Sequence, residues 1–153
     1  HSHDEIIELY SDYINDKNYG YLLSSIMTDL TFGSPVEELL SLNNNSYGYI
    51  FTPQSPLLNG ELGAFHASEL PYIFGVQSKL PYQKWSPDYR DKTAEVMQDA
   101  WVNFAKNGNP SSNNFEWKPF SHSSNYALIK DSIKNINSPF KERYKLLNHA
   151  KNF

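Results

Sequence analysis

Cysteine is absent from all 153 residues, which removes disulfides, thiolate metal sites and a cysteine nucleophile together. Long apolar runs are absent as well: nothing approaches the roughly 20 residues a membrane-spanning helix needs, and the first residues lack the basic-then-apolar layout of a signal peptide. The chain as given is expected to be soluble, with the lack of Cys slightly favouring the cytoplasm and no compartment fixed. Excess charge of one sign is scarce too. Lys and Arg number 13 against 17 Asp and Glu, a net charge of −4, and the basic residues are scattered, so no footprint for nucleic acid or an anionic membrane is present. What is abundant is aromatic: Tyr 11, Phe 9 and Trp 3, with only 20% charged residues, a globular composition rather than a disordered one. A chain of this length can bury about 68–70% of its unfolded surface.

The chain opens on "HSHDEIIELY" without an initiator Met, which reads as a cut end. If the amino group is free, His3, in third place after His1 and Ser2, can join it in a square-planar Cu(II) or Ni(II) site of nitrogen ligands, although a processing remnant explains the same residues. Asp4 is placed to cap a first helix with Ile6, Leu9, Tyr10, Tyr13 and Ile14 on one face, ending near Gly20. A second helical stretch, "YLLSSIMTDLTF", follows. "SPVE" then has the layout of a capping box, with Ser34 at the N-cap, Pro35 at the first helical position and Glu37 at the third, opening a short helix.

"YGYIFT", residues 47–52, is β-branched and aromatic between Asn/Ser and Pro53, and so predicts a strand. Val96, Met97, Ala100, Trp101 and Phe104 form one stripe of a long helix that stops where Gly108 supplies a left-handed residue. "YALIK" and "SIKNI" predict two short strands on either side of Asp131. Ser138-Pro139 opens a last helix with Phe140, Tyr144 and Leu147 on one face. No internal repeat and no long linker divides the chain, which predicts one segment of a single domain over 1–153. The class is α/β, but the strands are few and lack neighbours, so the chain is expected to be part of something larger.

Three segments in order carry a resemblance: "GAFHASELPYIFG", then "WVNFAKNGNP", then "WKPF". With "MTDLTF" and "YGYIFT" upstream, this succession resembles the C-terminal part of the type-B carboxylesterase and cholinesterase family of α/β-hydrolases, over about residues 20 to 145. The resemblance implies helices packed on the last strands of a mostly parallel sheet, incomplete without the N-terminal part. It implies hydrolysis of small carboxylic esters through an acyl-enzyme, with no cofactor and no metal. In this fold the order is Ser, then acid, then His, with the Ser on a Gly-x-Ser-x-Gly elbow. No such elbow occurs in the sequence. The Ser, the acid and the oxyanion glycines are therefore expected on an N-terminal partner portion, and the chain alone is expected to be inactive.

By resemblance His66 is the general base and acid of the triad. A serine hydroxyl is a poor nucleophile near neutral pH, and an imidazole with an ordinary pKa near 6.5 can take its proton and return it to the departing alcohol. Glu69 matches a carboxylate that supports the His loop; read without the resemblance, it is equally a helix-start Glu favoured by the dipole. As a metal pair, His66 and Glu69 lack third and fourth ligands. Tyr72, Ile73 and Phe74 are candidates for an apolar pocket wall or for packing beneath the loop. Asp29 reads as a structural carboxylate, Trp101, Phe104 and Trp117 read as core, and His122 and His149 receive no role. A reading from another class stays open: a non-catalytic binding or adhesion module on the same fold.

Overall fold

The computed structural model describes residues 3–15, 19–76, 79, 92–121 and 123–150. They form two compact units, one made of 1–46 with 138–153 and the other of 47–137. Among the described residues no helix is long and apolar enough to cross a membrane.

The 47–137 unit is built on a three-stranded sheet: β1 (Gly48–Phe51), β2 (Asn125–Ile129) and β3 (Ile133–Asn137), in that spatial order. β1 and β2 are parallel, pairing Tyr49 with Ala127 and Phe51 with Ile129, while β2 and β3 form an antiparallel hairpin. A parallel pair needs a crossover, and the long helix α6 (Lys92–Asn107) lies within it. Strand side chains alternate between faces. One face therefore carries Phe51, Ala127 and Ile129 into a core with Met97 and Ala100 of α6, Trp117 and Tyr72. The predicted strands and the α6 stripe are thus found, and Gly108 ends the helix at φ +69°. Of the three aromatics expected in the core, Trp117 is buried and Trp101 packs against it, but Phe104 is half exposed. It sits on the last turn of α6, its ring in a T-shaped arrangement with that of Tyr47, 5.8 Å between centres.

The other unit contains α1 (His3–Leu9), α2 (Ser11–Asn15), α3 (Tyr19–Thr28), a π-turn (Asp29–Gly33), α4 (Ser34–Ser41) and α7 (Lys141–Ala150). Three expectations need correction. The first helix does not run on to Gly20: it breaks at Tyr10, and Gly20 lies in the first turn of α3. Asp4 lies inside the first turn of α1, where its charge meets the positive helix end. Ser34 is no N-cap. Both it and Gly33 have right-handed helical dihedrals, so the helix passes straight through. Proline explains the π-turn that carries it: Pro35 has no N–H to give and its ring crowds the preceding turn, and a turn widened by one residue relieves that clash. The would-be capping groups are used elsewhere, with the Ser34 hydroxyl donating to Asn148 and Glu37 accepting from Ser138 Oγ at 3.0 Å.

Asp29, at the head of the π-turn, is buried and organises this unit. Tyr10 donates to its Oδ2 at 2.7 Å. Arg143 Nη2 donates to Oδ1 at 3.5 Å, and Nε lies 3.1 Å from Oδ2 as an ion pair not aligned for a hydrogen bond. The guanidinium is also stacked over Tyr10 and Phe140, 4.9 and 4.7 Å from their ring centres. Burial pushes the Asp29 carboxyl above its ordinary value, against the opposing pull of the Tyr10 bond and the Arg143 charge. Burial first, then Asp29, pushes the Tyr10 and Tyr144 phenols up in turn. Gly33 is required for space: a Cβ there would strike the Tyr144 ring and hydroxyl. Asp29 is structural, as expected.

Two outcomes follow. Arg143→Ala leaves a buried carboxylate uncompensated and should cost about 3–5 kcal/mol in urea unfolding. Met97→Ala should cost about 2–5 kcal/mol, whereas Val102→Ala, on the exposed side of the same helix, should stay within about 0.5 kcal/mol.

Candidate functional site

The loop that carries His66 begins at a double clamp. Thr52, next after β1, donates both its N–H, at 3.0 Å, and its hydroxyl, at 2.9 Å, to the carbonyl of Ile129 at the end of β2. The chain then folds back on itself. Ser55 N–H donates to the Gly63 carbonyl at 3.0 Å, and Ser55 Oγ accepts from Leu57 N–H at 3.2 Å. This closes a small loop, 55–63, within which Leu58, Asn59 and Gly60 all have positive φ.

His66 sits in the next turn. Ser68 N–H donates to the Phe65 carbonyl at 3.0 Å, and Ala67 is left-handed at φ +66°. A non-glycine residue in that region stores strain that only its surroundings can hold, and such residues gather at functional sites. The result is a sharp separation of neighbours: the His66 side chain is exposed while Ser68 is buried. The Ser68 hydroxyl has no hydrogen-bond partner among the described residues.

The turn is held from its C-terminal side by the short helix α5 (Leu70–Ile73). Val76 N–H donates to the Pro71 carbonyl at 2.9 Å and Gly75 N–H to that of Tyr72 at 3.3 Å, with Gly75 at φ +64°. This pair of bonds around a left-handed glycine is a Schellman closure, and it accounts for the Phe-Gly end of the "GAFHASELPYIFG" segment. α6 adds a brace: Gln98 Nε2 donates to the Tyr72 carbonyl at 3.1 Å. A Cβ on Gly75 would press on that amide at 3.2 Å.

Glu69, one turn from His66, is partly buried and precedes α5. Its side chain makes no capping bond, and its carbonyl accepts from Tyr72 N–H at 3.0 Å and Ile73 N–H at 3.2 Å. Its carboxylate acts on Tyr49, a residue sequence reasoning passed over. The Tyr49 ring packs edge-on against Trp101 and Trp117, 5.2 and 6.2 Å between centres. Burial, and then the charge of Glu69, push the phenol up to about 12. The alternating spacing of "YGYIFT" was the available signal, since it sets Tyr49 on the same face as Phe51.

The three pocket candidates part company, with Ile73 partly buried against the core. Tyr72 is in the core, edge-to-face with Phe51 at 5.3 Å between centres, while Phe74 is 72% exposed. Among the described residues no three His, Cys, Asp or Glu side chains are placed to hold a metal ion. His1 and Ser2 of the expected N-terminal copper or nickel site, and His122, lie outside the described residues.

A sequence profile of the carboxylesterase family matches residues 2–147. The chain belongs to the carboxylesterase family. It is 32% identical over 126 residues to a para-nitrobenzyl esterase of Bacillus subtilis (strain 168), covering 77% of this chain and 25% of that protein. It is 32% identical over 122 residues to a bile salt-activated lipase of Rattus norvegicus, covering 69% and 19% respectively. Among solved structures, a thermophilic PNB esterase superimposes with a TM-score of 0.69 at 27% identity, over 80% of this chain and 26% of that one. A second PNB esterase gives 0.66 at 29% identity over the same shares. The fold is therefore part of the α/β-hydrolase fold of carboxylesterases, and the chain spans about a quarter of the length of the esterases it matches.

The Tyr49–Glu69 pair should report its own electrostatics. The slow phenol in an alkaline titration followed at the phenolate band, absent in Tyr49→Phe, should ionise near 12. Glu69→Gln should lower that value by removing the second cause while leaving burial in place. The sign is fixed by a folded pKa above the unfolded one: Tyr49 favours the folded state below the unfolded value near 10, and this contribution is lost as pH rises through about 12.

Proposed function

We propose that this chain is the C-terminal portion of a serine carboxylesterase and that His66 is its proton-transfer residue. The observation that supports this most directly is the turn itself. An exposed imidazole stands on a backbone locked by the Ala67 conformation, the Ser68 to Phe65 bond and the capped, Gln98-braced α5. A catalytic imidazole needs such support, because a group held loosely by even about 1 Å loses most of its advantage.

In this reading the nucleophilic serine, the triad acid and the oxyanion donors come from the N-terminal portion. As the serine oxygen attacks the ester carbonyl, one His66 ring nitrogen accepts the hydroxyl proton, and the other N–H donates to the acid. The proton then passes from His66 to the departing alcohol oxygen, which leaves an acyl-serine. Water repeats the cycle through the same imidazole and releases the acid. Glu69 takes the supporting position behind the turn, its charge set against the Tyr49 phenol. The substrate class is a small carboxylic ester, in keeping with relatives named as esterases and a lipase. The chain by itself carries no Gly-x-Ser-x-Gly elbow and is inactive.

Mixing or co-expressing the chain with the N-terminal portion of the same hydrolase should restore hydrolysis of an aryl acetate. His66→Ala in that complex should lower kcat by about 10⁴-fold or more with little change in KM. A mutant complex as fast as the unmodified one refutes the assignment.

A further inference from the structure

Between Ser55 and Pro71 the chain buries a single residue, and that residue is a serine. Leu58, Leu62 and Leu70 of the same stretch are 64%, 43% and 43% exposed, whereas Ser68 is 4% exposed. The inward position is thus not held by one of the apolar side chains that ordinarily occupy interiors. Its hydroxyl has no hydrogen-bond partner among the described residues. Buried side-chain polar groups in native folds are mostly paired, and the exceptions concentrate where a group serves strain, catalysis or a bound water.

The backbone on either side of this hydroxyl is already committed. Ser68 N–H donates to the Phe65 carbonyl at 3.0 Å, and the Ala67 carbonyl accepts from Leu70 N–H at 3.2 Å. Between these bonds Ala67 is held at φ +66°, a conformation that a non-glycine residue keeps only when its surroundings over-determine it. His66 lies on one side of Ala67 and Ser68 on the other, so a shift of Ser68 is carried to the imidazole through the two peptide groups of Ala67. Alanine at position 68 would fill nearly the same space with no hydroxyl to desolvate. The oxygen therefore has no packing reason to be there.

We propose that Ser68 is a positioning residue for His66: in the complete hydrolase its buried hydroxyl makes the hydrogen bond that fixes the Ala67 turn and, with it, the imidazole. This rests on the proton-transfer role given to His66 above. Ser68 acts through the backbone of the turn and not on the substrate. What position 68 requires is a hydroxyl and not merely a small volume. Threonine retains that group, alanine lacks it, and cysteine replaces it with a thiol that is only a weak donor and acceptor.

The test is steady-state hydrolysis of an aryl acetate by the complete hydrolase, unmodified and as S68A, S68C, S68T and H66A, with the thermal midpoint of each form measured alongside. S68A and S68C should lower kcat about tenfold or more with KM within about twofold, since a misplacement of about 1 Å can cost about 10²-fold. Their midpoints should stay within about 3 °C of the unmodified enzyme, and S68T should recover most of the lost kcat. S68A as fast as the unmodified enzyme while H66A is inactive overturns the proposal and leaves the role of His66 standing. A slow S68A whose midpoint falls well beyond that range overturns it as well, by making Ser68 merely structural. S68C, nearly isosteric with serine, separates lost volume from lost hydrogen bonding: S68C at full speed overturns the proposal, as does S68T that stays slow at an unchanged midpoint. H66A as fast as the unmodified enzyme removes the catalytic reading and this inference together.

Discussion

The carbonyl of Ile129 accepts both polar groups of Thr52, and the placement of His66 depends on it. Two parallel strands are joined at their ends by this clamp, so the loop that follows β1 starts from a point fixed to β2. Without it, the residues from Pro53 to Glu69 would leave the sheet from a fraying strand end. Parallel α/β sheets bind ligands beyond the carboxyl ends of their strands, and Thr52 stands at that end of β1.

From that origin the chain is drawn tight by backbone bonds rather than by buried apolar area. The 55–63 loop closes on itself, the 65–68 turn stores strain at Ala67, and α5 ends in a glycine-dependent closure braced by Gln98. Packing enters only underneath, where Tyr72 meets Phe51 and the sheet core begins. This division suits a proton-transfer site. The His66 side chain is exposed, and the backbone beneath it is fixed by these bonds. The buried Ser68 hydroxyl has no hydrogen-bond partner among the described residues.

The sequence was legible wherever local chemistry alone decided the outcome. Gly108 ended α6 because a left-handed position favours glycine, Ser138-Pro139 preceded α7, and "YGYIFT" paired as a strand with Tyr47 and Phe51, both half-buried, packed against the core. It was misleading where distant residues decided. "SPVE" has the local form of a helix start, but Asn148 and Ser138 compete for its side chains and the π-turn lets the helix absorb Pro35. Gly20 resembled a stop and lies inside α3. At the site, the His66 turn and the Phe-Gly closure were visible as a motif. That Tyr72 goes inward, Phe74 outward and Tyr49 lies within reach of the Glu69 charge was not, because each depends on how β1, α5 and α6 meet.

The central claim is that His66 serves a serine supplied by the rest of the hydrolase. The measurement that bears on it most directly is a high-resolution structure of the complete enzyme, read for the distance from a His66 ring nitrogen to the nucleophilic serine oxygen. The account predicts hydrogen-bonding reach, about 2.6–3.2 Å, with the second ring nitrogen turned to a carboxylate. A His66 ring well beyond that reach, or a different histidine beside the serine, would contradict it.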